Sequence, residues 1–282
     1  MSGVRLEADF HLITAQTNAI NNINKCVRRT DLEIENLILE PLASSLSVLS
    51  DEEKEAGVCL VDIGGGTTDV AIFHDNIIRH TAVIPFGGNI ITSDIKQGCM
   101  VMSHQAESLK MKFGKAIAEE ASPNEIISIP GLRNRPAKEI SMKNLAHIIE
   151  ARLEEIIELV HAEIITSGFD GKLAGGIVLT GGGAQMQSLQ QLVEYMTGMD
   201  ARIGYPNEHL GKSKADVKSP MYSTAIGLVL SGFMDLDDRQ NQYKEAKPVN
   251  TRNKKEFKSF LDNIINKTKG LLIDDIEGSD SY

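Results

Sequence analysis

Two glycine turns, each following a short apolar run, constrain most strongly how this chain can fold. The first run, residues 58–63, leads into the turn Gly64–Gly66, and a second apolar run follows at 70–73. A third run, residues 176–180, leads into the turn Gly181–Gly183. Short apolar runs bounded by turn residues are typical of buried strands. The pattern therefore predicts a strand hairpin closed by the first turn, and a strand that enters a helix through the second.

The first turn contains the residue types that phosphate binding requires. Glycine allows backbone N–H groups to approach an anion with no Cβ in the way. Thr67 and Thr68 can add hydroxyl donors, and Asp62 is placed to hold Mg²⁺ or its coordinated water. A tight glycine hairpin capped by an aspartate would look similar. The predicted phosphate and Mg²⁺ residues are Asp62, Gly64, Gly65, Gly66, Thr67 and Thr68.

The second turn is suited to a nucleoside. Its glycines Gly181, Gly182 and Gly183 would let a flat base and ribose lie against the backbone, at a helix N-terminus that favours negative charge. Alone this signal is weak, because many strand-to-helix turns contain glycine. Two such turns, each closing a buried strand, are more specific and favour a nucleotide cleft.

The rest of the chain alternates strands and helices, which predicts an α/β fold. Two short apolar runs, Phe10–Thr14 and Asn36–Leu39, are interpreted as strands, and Ser223–Ser231 as a helix. The charged stretch Ser50–Ala56 is interpreted as a loop. The polar stretch that begins at Met234 is interpreted as a linker.

Charge and cysteine content exclude several classes of protein. The net charge of −10 over 282 residues argues against a general nucleic-acid binder, which needs a basic face. Cys26, Cys59 and Cys99 are widely spaced and fit a reducing cytoplasm. The apolar runs are too short to span a bilayer, and the first residues do not resemble a signal peptide. We expect a cytoplasmic protein, unless its tail brings it to a membrane surface.

The residues around both turns resemble a known superfamily, that of actin, the heat-shock chaperones and the sugar kinases. Asp62–Asp69 resembles its second phosphate motif, Gly181–Gly183 its adenosine motif, and Tyr222–Leu228 its connecting helix. The finer resemblance, over nearly all of residues 2–233, is to the FtsA family of bacterial cell-division proteins. The motifs that carry it include Val61-Asp-Ile-Gly-Gly-Gly-Thr-Thr-Asp-Val-Ala, Val83-Ile-Pro-Phe-Gly-Gly-Asn, Ala174-Gly-Gly-Ile-Val-Leu-Thr-Gly-Gly and Tyr222-Ser-Thr-Ala.

The resemblance assigns roles to three further residues. Glu107 and Lys110 match a Glu-x-x-Lys pair that holds the ribose, and their spacing puts both on one helix face. Glu40, before Pro41, matches the position that orients the attacking water in actin-like ATPases. Without the resemblance, the pair would be interpreted as a solvated ion pair and Glu40 as a loop carboxylate.

The resemblance also indicates what this sequence does not contain. Family members open with an Asp-x-Gly phosphate loop, followed by a subdomain distal to the cleft, and this sequence shows neither the loop nor most of that subdomain. In such a cleft the phosphates are bound by residues on both sides. We therefore expect a fragment, or else a degenerate product, that alone neither binds ATP tightly nor hydrolyses it. The complete protein would bind ATP and Mg²⁺ and be at most a weak ATPase.

The implied fold is actin-like (ribonuclease H-like), with the second half of that molecule and an inserted small subdomain. Residues 56–92 and 173–233 would form the large subdomain that contains both glycine turns, and 93–172 the inserted one. Residues 1–55 would end the distal subdomain and return to the first actin-like subdomain. Three segments follow: a linker at 234–251, an amphipathic helix at 252–272 and an acidic tail at 273–282.

The amphipathic segment 252–272 predicts membrane binding. Lysines flank its apolar face, and a cationic amphipathic helix suits the interface of an anionic membrane. A helix that packs back on the core or on a partner protein would show the same pattern; the family resemblance favours the membrane. The residues that share the apolar face are Phe257, Phe260, Leu261, Ile264 and Ile265.

The resemblance implies an adaptor that polymerises into actin-like filaments and links the tubulin-like GTPase FtsZ to the cytoplasmic face of the membrane at the division site. The FtsZ C-terminal peptide would dock on residues 93–172, where Lys138 and Arg152 could meet an acidic peptide or be ordinary solvated charges. The alternative is an actin-fold ATPase or kinase in which turnover is the main role. A related adaptor of pilus assembly shares the fold but not the basic tail.

Overall fold

The computed structural model describes residues 5, 7–8, 10–131, 136–206, 210 and 215–245. The chain divides into two compact units, residues 1–232 and 233–282. Its strands are β1 (Val58–Ile63), β2 (Thr68–His74), β3 (Ile77–Ile84), β4 (Ile126–Ile129), β5 (Lys138–Ser141), β6 (Ile177–Thr180) and β7 (Ala201–Ile203). Its helices are α1 (Thr17–Arg28), α2 (Glu40–Val48), α3 (Asp51–Ala56), α4 (Gly88–Gly98), α5 (Ser103–Phe113), α6 (Met142–Ser167), α7 (Leu189–Thr197) and α8 (Ser223–Glu245).

A five-stranded sheet organises the first unit, in the order β3-β2-β1-β6-β7. The central strand β1 pairs antiparallel with β2 and parallel with β6. Asp62 near the end of β1 stands opposite Thr180 at the end of β6. Because parallel strands end at the same edge of a sheet, the two glycine turns that follow them are neighbours.

Helices cover both faces of this sheet, and the period of two along β1 decides which residue faces which helix. Cys59, Val61 and Ile63 belong to the main core cluster, to which α6 contributes much of its apolar stripe. Val58 and Leu60 belong to a second cluster with the end of α2. Asp62 lies on the same face of β1 as Val58 and Leu60, so its carboxylate points towards α2. The separate hairpin β4-β5 lies outside the sheet.

Two predicted strands are wrong. Phe10–Thr14 and Asn36–Leu39 have no regular secondary structure. The Phe10 and Leu12 side chains are 82% and 85% exposed. A strand needs a hydrogen-bonded neighbour, and neither run pairs with a strand in the part of the chain that the structure describes. Apolar character alone therefore gave a false prediction in both places.

The predicted loop at Ser50–Ala56 is also wrong, because it contains the helix α3. Ser50 Oγ accepts from the Glu53 N–H at 3.2 Å, and the Ser50 N–H donates to Glu53 Oε2 at 2.9 Å. This reciprocal capping box satisfies two backbone donors that the first helical turn leaves unpaired. The Ser-x-x-Glu spacing was visible in the sequence.

The predicted linker at 234–251 must be shortened, because α8 does not end at Ser231 but continues to Glu245. Residues 246–251, the amphipathic segment 252–272 and the acidic tail 273–282 lie outside the described residues. The boundary predicted between residues 92 and 93 falls inside the continuous helix α4. No helix among the described residues is long and apolar enough to cross a membrane.

Candidate functional site

The two glycine turns are in direct contact, and two glycines make that contact possible. A Cβ on Gly181 would lie 2.3 Å from Asp62 Oδ1 and 2.6 Å from the Ile63 carbonyl oxygen. Gly181 also has a φ of +84°, which side chains rarely adopt. A Cβ on Gly183 would lie 2.4 Å from Ile63 Cγ2. These glycines are explained by packing between the turns.

Three other glycines of the turns are not explained by crowding or by φ, whereas a Cβ on Gly64 would lie 3.2 Å from the Thr67 carbonyl oxygen. None of Gly65, Gly66 and Gly182 has a left-handed φ. A Cβ on Gly66 would have no atom within 4 Å, and one on Gly182 would come only to 4.0 Å from Met221 Cβ. The nearest neighbour of a Cβ on Gly65 would be the Asn89 amide at 3.5 Å. Open space at these glycines is what a ligand that contacts the backbone would need.

The start of α4 is hydrogen-bonded to the first turn, and the loop before it is hydrogen-bonded to β2. The N–H groups of Gly88 and Asn89 donate to the carbonyls of Gly64 and Gly65, at 2.9 and 2.7 Å. Thr68 is fully buried, and its Oγ1 donates to the Phe86 carbonyl at 2.8 Å. This corrects the prediction that Thr68 offers its hydroxyl to a phosphate, since its hydrogen already holds this loop in place.

Asp62 is held at the end of β1 by hydroxyls from two helices. Its Oδ2 accepts from Ser44 Oγ on α2 at 2.8 Å and from Thr224 Oγ1 on α8 at 3.4 Å. Only 4% of Asp62 is exposed. Burial raises the pKa of Asp62, the hydrogen bond from Ser44 opposes that rise, and the charge of Asp69 adds to it. Neither Ser44 nor Thr224 was predicted as a site residue.

Two more carboxylates lie near Asp62. Asp69 on β2 stands opposite it in the ladder, so both side chains are on one face of the sheet. Burial raises the pKa of Asp69, against the hydrogen bond from Thr67 Oγ1 at 3.2 Å. Glu40, at the start of α2, has its pKa raised by desolvation of the carboxyl and by the charges of Asp69 and Asp62. The three groups concentrate negative charge that a cation would relieve.

These carboxylates do not form a complete metal site. Among the described residues, no group of three or more His, Cys, Asp or Glu side chains is placed to hold a metal ion. Mg²⁺ takes few protein carboxylates and fills its remaining positions with water and phosphate oxygens. A single buried carboxylate such as Asp62, beside an open glycine turn, fits that requirement.

The predicted pair Glu107 and Lys110 forms a contact that includes a third residue, Thr92 of α4. Lys110 Nζ lies 2.8 Å from Glu107 Oε2, and it donates to Thr92 Oγ1 and to the Gly88 carbonyl at 2.8 Å each. Thr92 Oγ1 in turn donates to Glu107 Oε2 at 2.5 Å. The predicted ion pair is therefore present. The sequence interpretation missed Thr92, which lies 15 residues before Glu107.

A cleft of about 430 Å³ brings several of these groups together. Its volume is in the range of small-molecule sites. Of the predicted residues it is lined by Gly64, Gly65, Glu107, Lys110, Gly182 and Gly183. Apolar side chains that the sequence interpretation missed form another part of the wall: Ile91, Met111, Leu153, Met186 and Met221.

The remaining predicted site residues lie elsewhere. Arg152 Nε donates to Asp94 Oδ2 at 2.6 Å and Nη2 to Asp94 Oδ1 at 3.2 Å, while Nη1 contacts Glu155. Lys138 Nζ donates to the Met100 carbonyl at 3.3 Å. Arg152 thus already has carboxylate partners. The predicted membrane residues at 257–265 lie outside the described part of the chain.

Solved structures show the fold of this chain. MreB5 of Spiroplasma citri bound to ADP aligns with a TM-score of 0.65 at 18% identity, over 80% of this chain and 68% of that one. A PilM-PilN type IV pilus biogenesis complex aligns with a TM-score of 0.59 at 18% identity, over 77% of this chain and 59% of that one. These neighbours have the actin-like ATPase fold, so the predicted fold class is confirmed.

Curated sequences show the family. A Pseudomonas aeruginosa cell division protein FtsA is 46% identical over 238 residues, which are 84% of this chain and 57% of the relative. The Escherichia coli K12 protein of that description is 40% identical over 239 residues, 82% of this chain and 57% of the relative. The chain thus spans little more than half the length of these relatives. The family profile described as cell division protein FtsA matches residues 59–227, more than half of the chain. The chain therefore belongs to the FtsA family of cell division proteins.

Proposed function

We propose that this chain is part of an actin-like cell-division adaptor whose cleft binds an adenine nucleotide with Mg²⁺. The observation that carries the proposal is the contact between the two glycine turns beside the Glu107 and Lys110 pair. Three glycines of these turns, Gly65, Gly66 and Gly182, have room for a side chain and carry none. MreB5 of Spiroplasma citri, which shares the fold, has been solved with ADP and with AMPPNP.

Each part of the nucleotide would have a counterpart in the chain. The N–H groups of Gly65 and Gly66 would face the phosphates, whereas that of Gly64 already donates to the Thr67 carbonyl at 2.9 Å. Asp62 would hold Mg²⁺ through water, which would supply charge neutralisation. Glu107 would face the ribose. The base would lie against Gly182 and Met221, where an open backbone and an apolar side chain meet.

Adaptor function is proposed from the family and from the tail. The segment 252–272 would bind an anionic membrane through the apolar face that contains Phe257, Phe260 and Ile264. Self-association into actin-like filaments and binding of the FtsZ C-terminal peptide would complete the link between the FtsZ ring and the cytoplasmic face of the membrane at the division site. No role with nucleic acid is proposed, given the net charge of −10.

ATP turnover is a second candidate function, which the position of Glu40 favours. Glu40 is exposed, but partial desolvation of its carboxyl and the charges of Asp69 and Asp62 raise its pKa. Its carboxyl is therefore electrostatically coupled to the proposed Mg²⁺ residue. Such a group can orient water. We propose at most weak turnover in the complete protein.

Calorimetric titration with unmodified Mg·ATP at millimolar concentrations, which suits the weak binding expected of a cleft with one phosphate loop, tests the nucleotide site. Labels on the ribose are avoided, because they would occupy the place of the hydroxyls. Gly182→Val adds a side chain in the cleft at a position where a Cβ comes no closer than 4.0 Å to the protein, so we expect it to abolish the binding heat. Gly232→Val is the matched control, because a Cβ there also meets no atom within 4 Å and the residue does not line the cleft. Equal binding by both variants would exclude the proposed site.

Co-sedimentation with anionic vesicles tests the membrane anchor. The intact chain should pellet and high salt should release part of it, whereas a version that ends at Asn250 should stay in solution. Phe260→Glu in the intact chain should act like the truncation, because it places a charge on the apolar face. If intact chain and truncation both stay in solution, the tail is a partner or core helix.

A synthetic FtsZ C-terminal peptide tests the docking residues. The Arg152 guanidinium is already paired with the Asp94 carboxylate, so a carboxylate of the peptide must compete with Asp94 for it. Asp94→Asn should therefore tighten peptide binding, and Arg152→Glu should weaken it, both measured by calorimetry. Unchanged affinity in both variants would place the peptide elsewhere.

A further inference from the structure

The ammonium group of Lys110 has no hydrogen left for a ligand. An ammonium group carries three hydrogens and accepts none. Three acceptors surround Nζ at 2.8 Å each: the Gly88 carbonyl, Thr92 Oγ1 and Glu107 Oε2. The Lys110 side chain is only 12% exposed. Lys110 therefore connects α5 to the start of α4, whose Gly88 N–H is bonded to the first glycine turn.

The two carboxylate oxygens of Glu107 are in different situations. Oε2 receives both the Thr92 hydroxyl and the Lys110 ammonium. Oε1 receives no hydrogen bond from the residues that the structure describes. The Glu107 side chain is 42% exposed and lines the cleft, so Oε1 is the oxygen that can accept from a ligand.

The hydrogen of the Thr92 hydroxyl is directed at Glu107. Thr92 Oγ1 lies 2.5 Å from Glu107 Oε2 and 3.1 Å from the Gly88 carbonyl. The hydroxyl has one hydrogen, and a charged oxygen at the shorter distance is the stronger acceptor. Only 8% of Thr92 is exposed, and Thr92 does not line the cleft. Thr92 therefore acts on the cleft through Glu107 and not by contact with a ligand.

We infer that Thr92 is the positioning residue of a ribose subsite. It fixes Oε2 of Glu107, so that Oε1 accepts a hydrogen bond from the ribose 2′-hydroxyl, while Lys110 stabilises the site through its contacts within the protein. This inference rests on the proposed nucleotide site and specifies how the sugar is recognised. A carboxylate is an acceptor only, so it selects a sugar that offers hydroxyl donors. The site should therefore distinguish a ribonucleotide from its 2′-deoxy counterpart.

The electrostatics of Glu107 agree with this arrangement. Burial alone would raise the pKa of Glu107, but the hydrogen bonds from Lys110 and Thr92 and the Lys110 charge outweigh it, and the pKa is lowered. Glu107 thus remains an ionised acceptor at neutral pH.

Thr92→Val and Thr92→Ser form the matched pair for the test. Valine has nearly the shape of threonine but no hydroxyl, and serine retains the hydroxyl. Calorimetry with Mg·ATP and Mg·2′-deoxyATP gives the affinity ratio in each variant. We expect the unsubstituted chain to prefer ATP about tenfold, the size of one hydrogen bond to a charged group. Thr92→Val should lose most of this preference with little change in 2′-deoxyATP affinity, and Thr92→Ser should retain it.

Two results would overturn the inference. Thr92→Val could keep the full preference for ATP. It could also lower the affinity for both nucleotides by the same factor, which is the result expected if Thr92 had only a structural role. If the unsubstituted chain binds neither nucleotide, the proposed nucleotide site fails, and an NMR titration of the glutamate side-chain carbons still decides the role of Thr92. The Glu107 signal, assigned with Glu107→Gln, should titrate at higher pH in Thr92→Val but not in Thr92→Ser. An unchanged titration in Thr92→Val would show that Thr92 does not hold the carboxylate.

Discussion

Two regions of this molecule have similar apolar sequence runs and different structures. The strands around the cleft, β1, β2 and β6, are almost wholly buried between helices. The segment 10–39 is largely exposed, and α1 within it buries no residue. The difference teaches that an apolar run becomes a strand only where the chain supplies a ladder partner and a covering layer.

Thiol reactivity should give the largest contrast. Cys26 on α1 is exposed, whereas Cys59 on β1 is fully buried, and burial raises the pKa of Cys59 to about 12. A disulfide reagent at neutral pH should modify Cys26 at least about a hundredfold faster than Cys59, because Cys59 reacts only after opening of the sheet. In Cys26→Ser the exposed thiol is removed, so the slow reaction of the buried thiols can be measured alone. Similar rates for Cys26 and Cys59 would mean that the sheet is not packed as described.

The second-largest contrast should be in the loss of stability when a leucine of each region is replaced by alanine. Leu60 in β1 is fully buried and Leu12 is 85% exposed. Leu60→Ala should lower the free energy of unfolding by about 3 kcal/mol, because it leaves a cavity between the sheet and α2. Leu12→Ala should change it by less than about 0.5 kcal/mol. Urea denaturation measures both, and a comparable loss in Leu12→Ala would reveal packing of the segment 10–39.

An ion pair beside the sheet should give a smaller, pH-dependent effect. Glu53 binds Arg202 of β7 through two hydrogen bonds, at 2.6 and 2.7 Å. Burial opposes ionisation, but Arg202 and the Ser50 N–H outweigh it, and the pKa of Glu53 lies below its ordinary value of 4.5. A lowered pKa means that the unfolded state binds the proton more tightly, so the stabilisation is present above pH 4.5 and lost as the pH falls below it.

Glu53→Gln should therefore destabilise the chain by about 1 kcal/mol at pH 7, a value reduced for the exposure of Arg202. The difference from the unsubstituted chain should shrink between pH 5 and pH 3. Exposed Glu33 in the segment 10–39 offers the comparison, and we expect Glu33→Gln to have a much smaller effect at pH 7. Thermal unfolding at several pH values measures both. A pH-independent difference for Glu53→Gln would show that the charge of Glu53 is not the cause.

The sequence predicted the cleft better than it predicted the segment 10–39, for physical reasons. The two turns were identified because glycines after apolar runs are a local signal, and Glu107 with Lys110 because a helix places i and i+3 together. Thr92 was missed because its contact with Glu107 depends on how α4 and α5 pack. Helix α3 was missed although Ser50 and Glu53 carry a local capping signal.

The sequence could not separate the roles of the glycines either. Gly181 and Gly183 are required by the close approach of β1 and β6, whereas Gly66 and Gly182 face open space. All four look alike in a sequence, because crowding is a property of the folded chain. The sequence predicted all four as ligand-binding residues, and only the structure shows that Gly66 and Gly182, but not Gly181 and Gly183, lack an explanation in packing.

Hydrogen exchange with and without Mg·ATP tests the central claim most directly, namely that the two turns form one nucleotide site. We expect the nucleotide to slow amide exchange at both turns, 64–66 and 181–183, and at the start of α4, residues 88–89, which is bonded to the first turn. The segment 10–39 should exchange equally fast in both conditions. Protection confined to one turn, or absent from both at saturating nucleotide, would contradict the account.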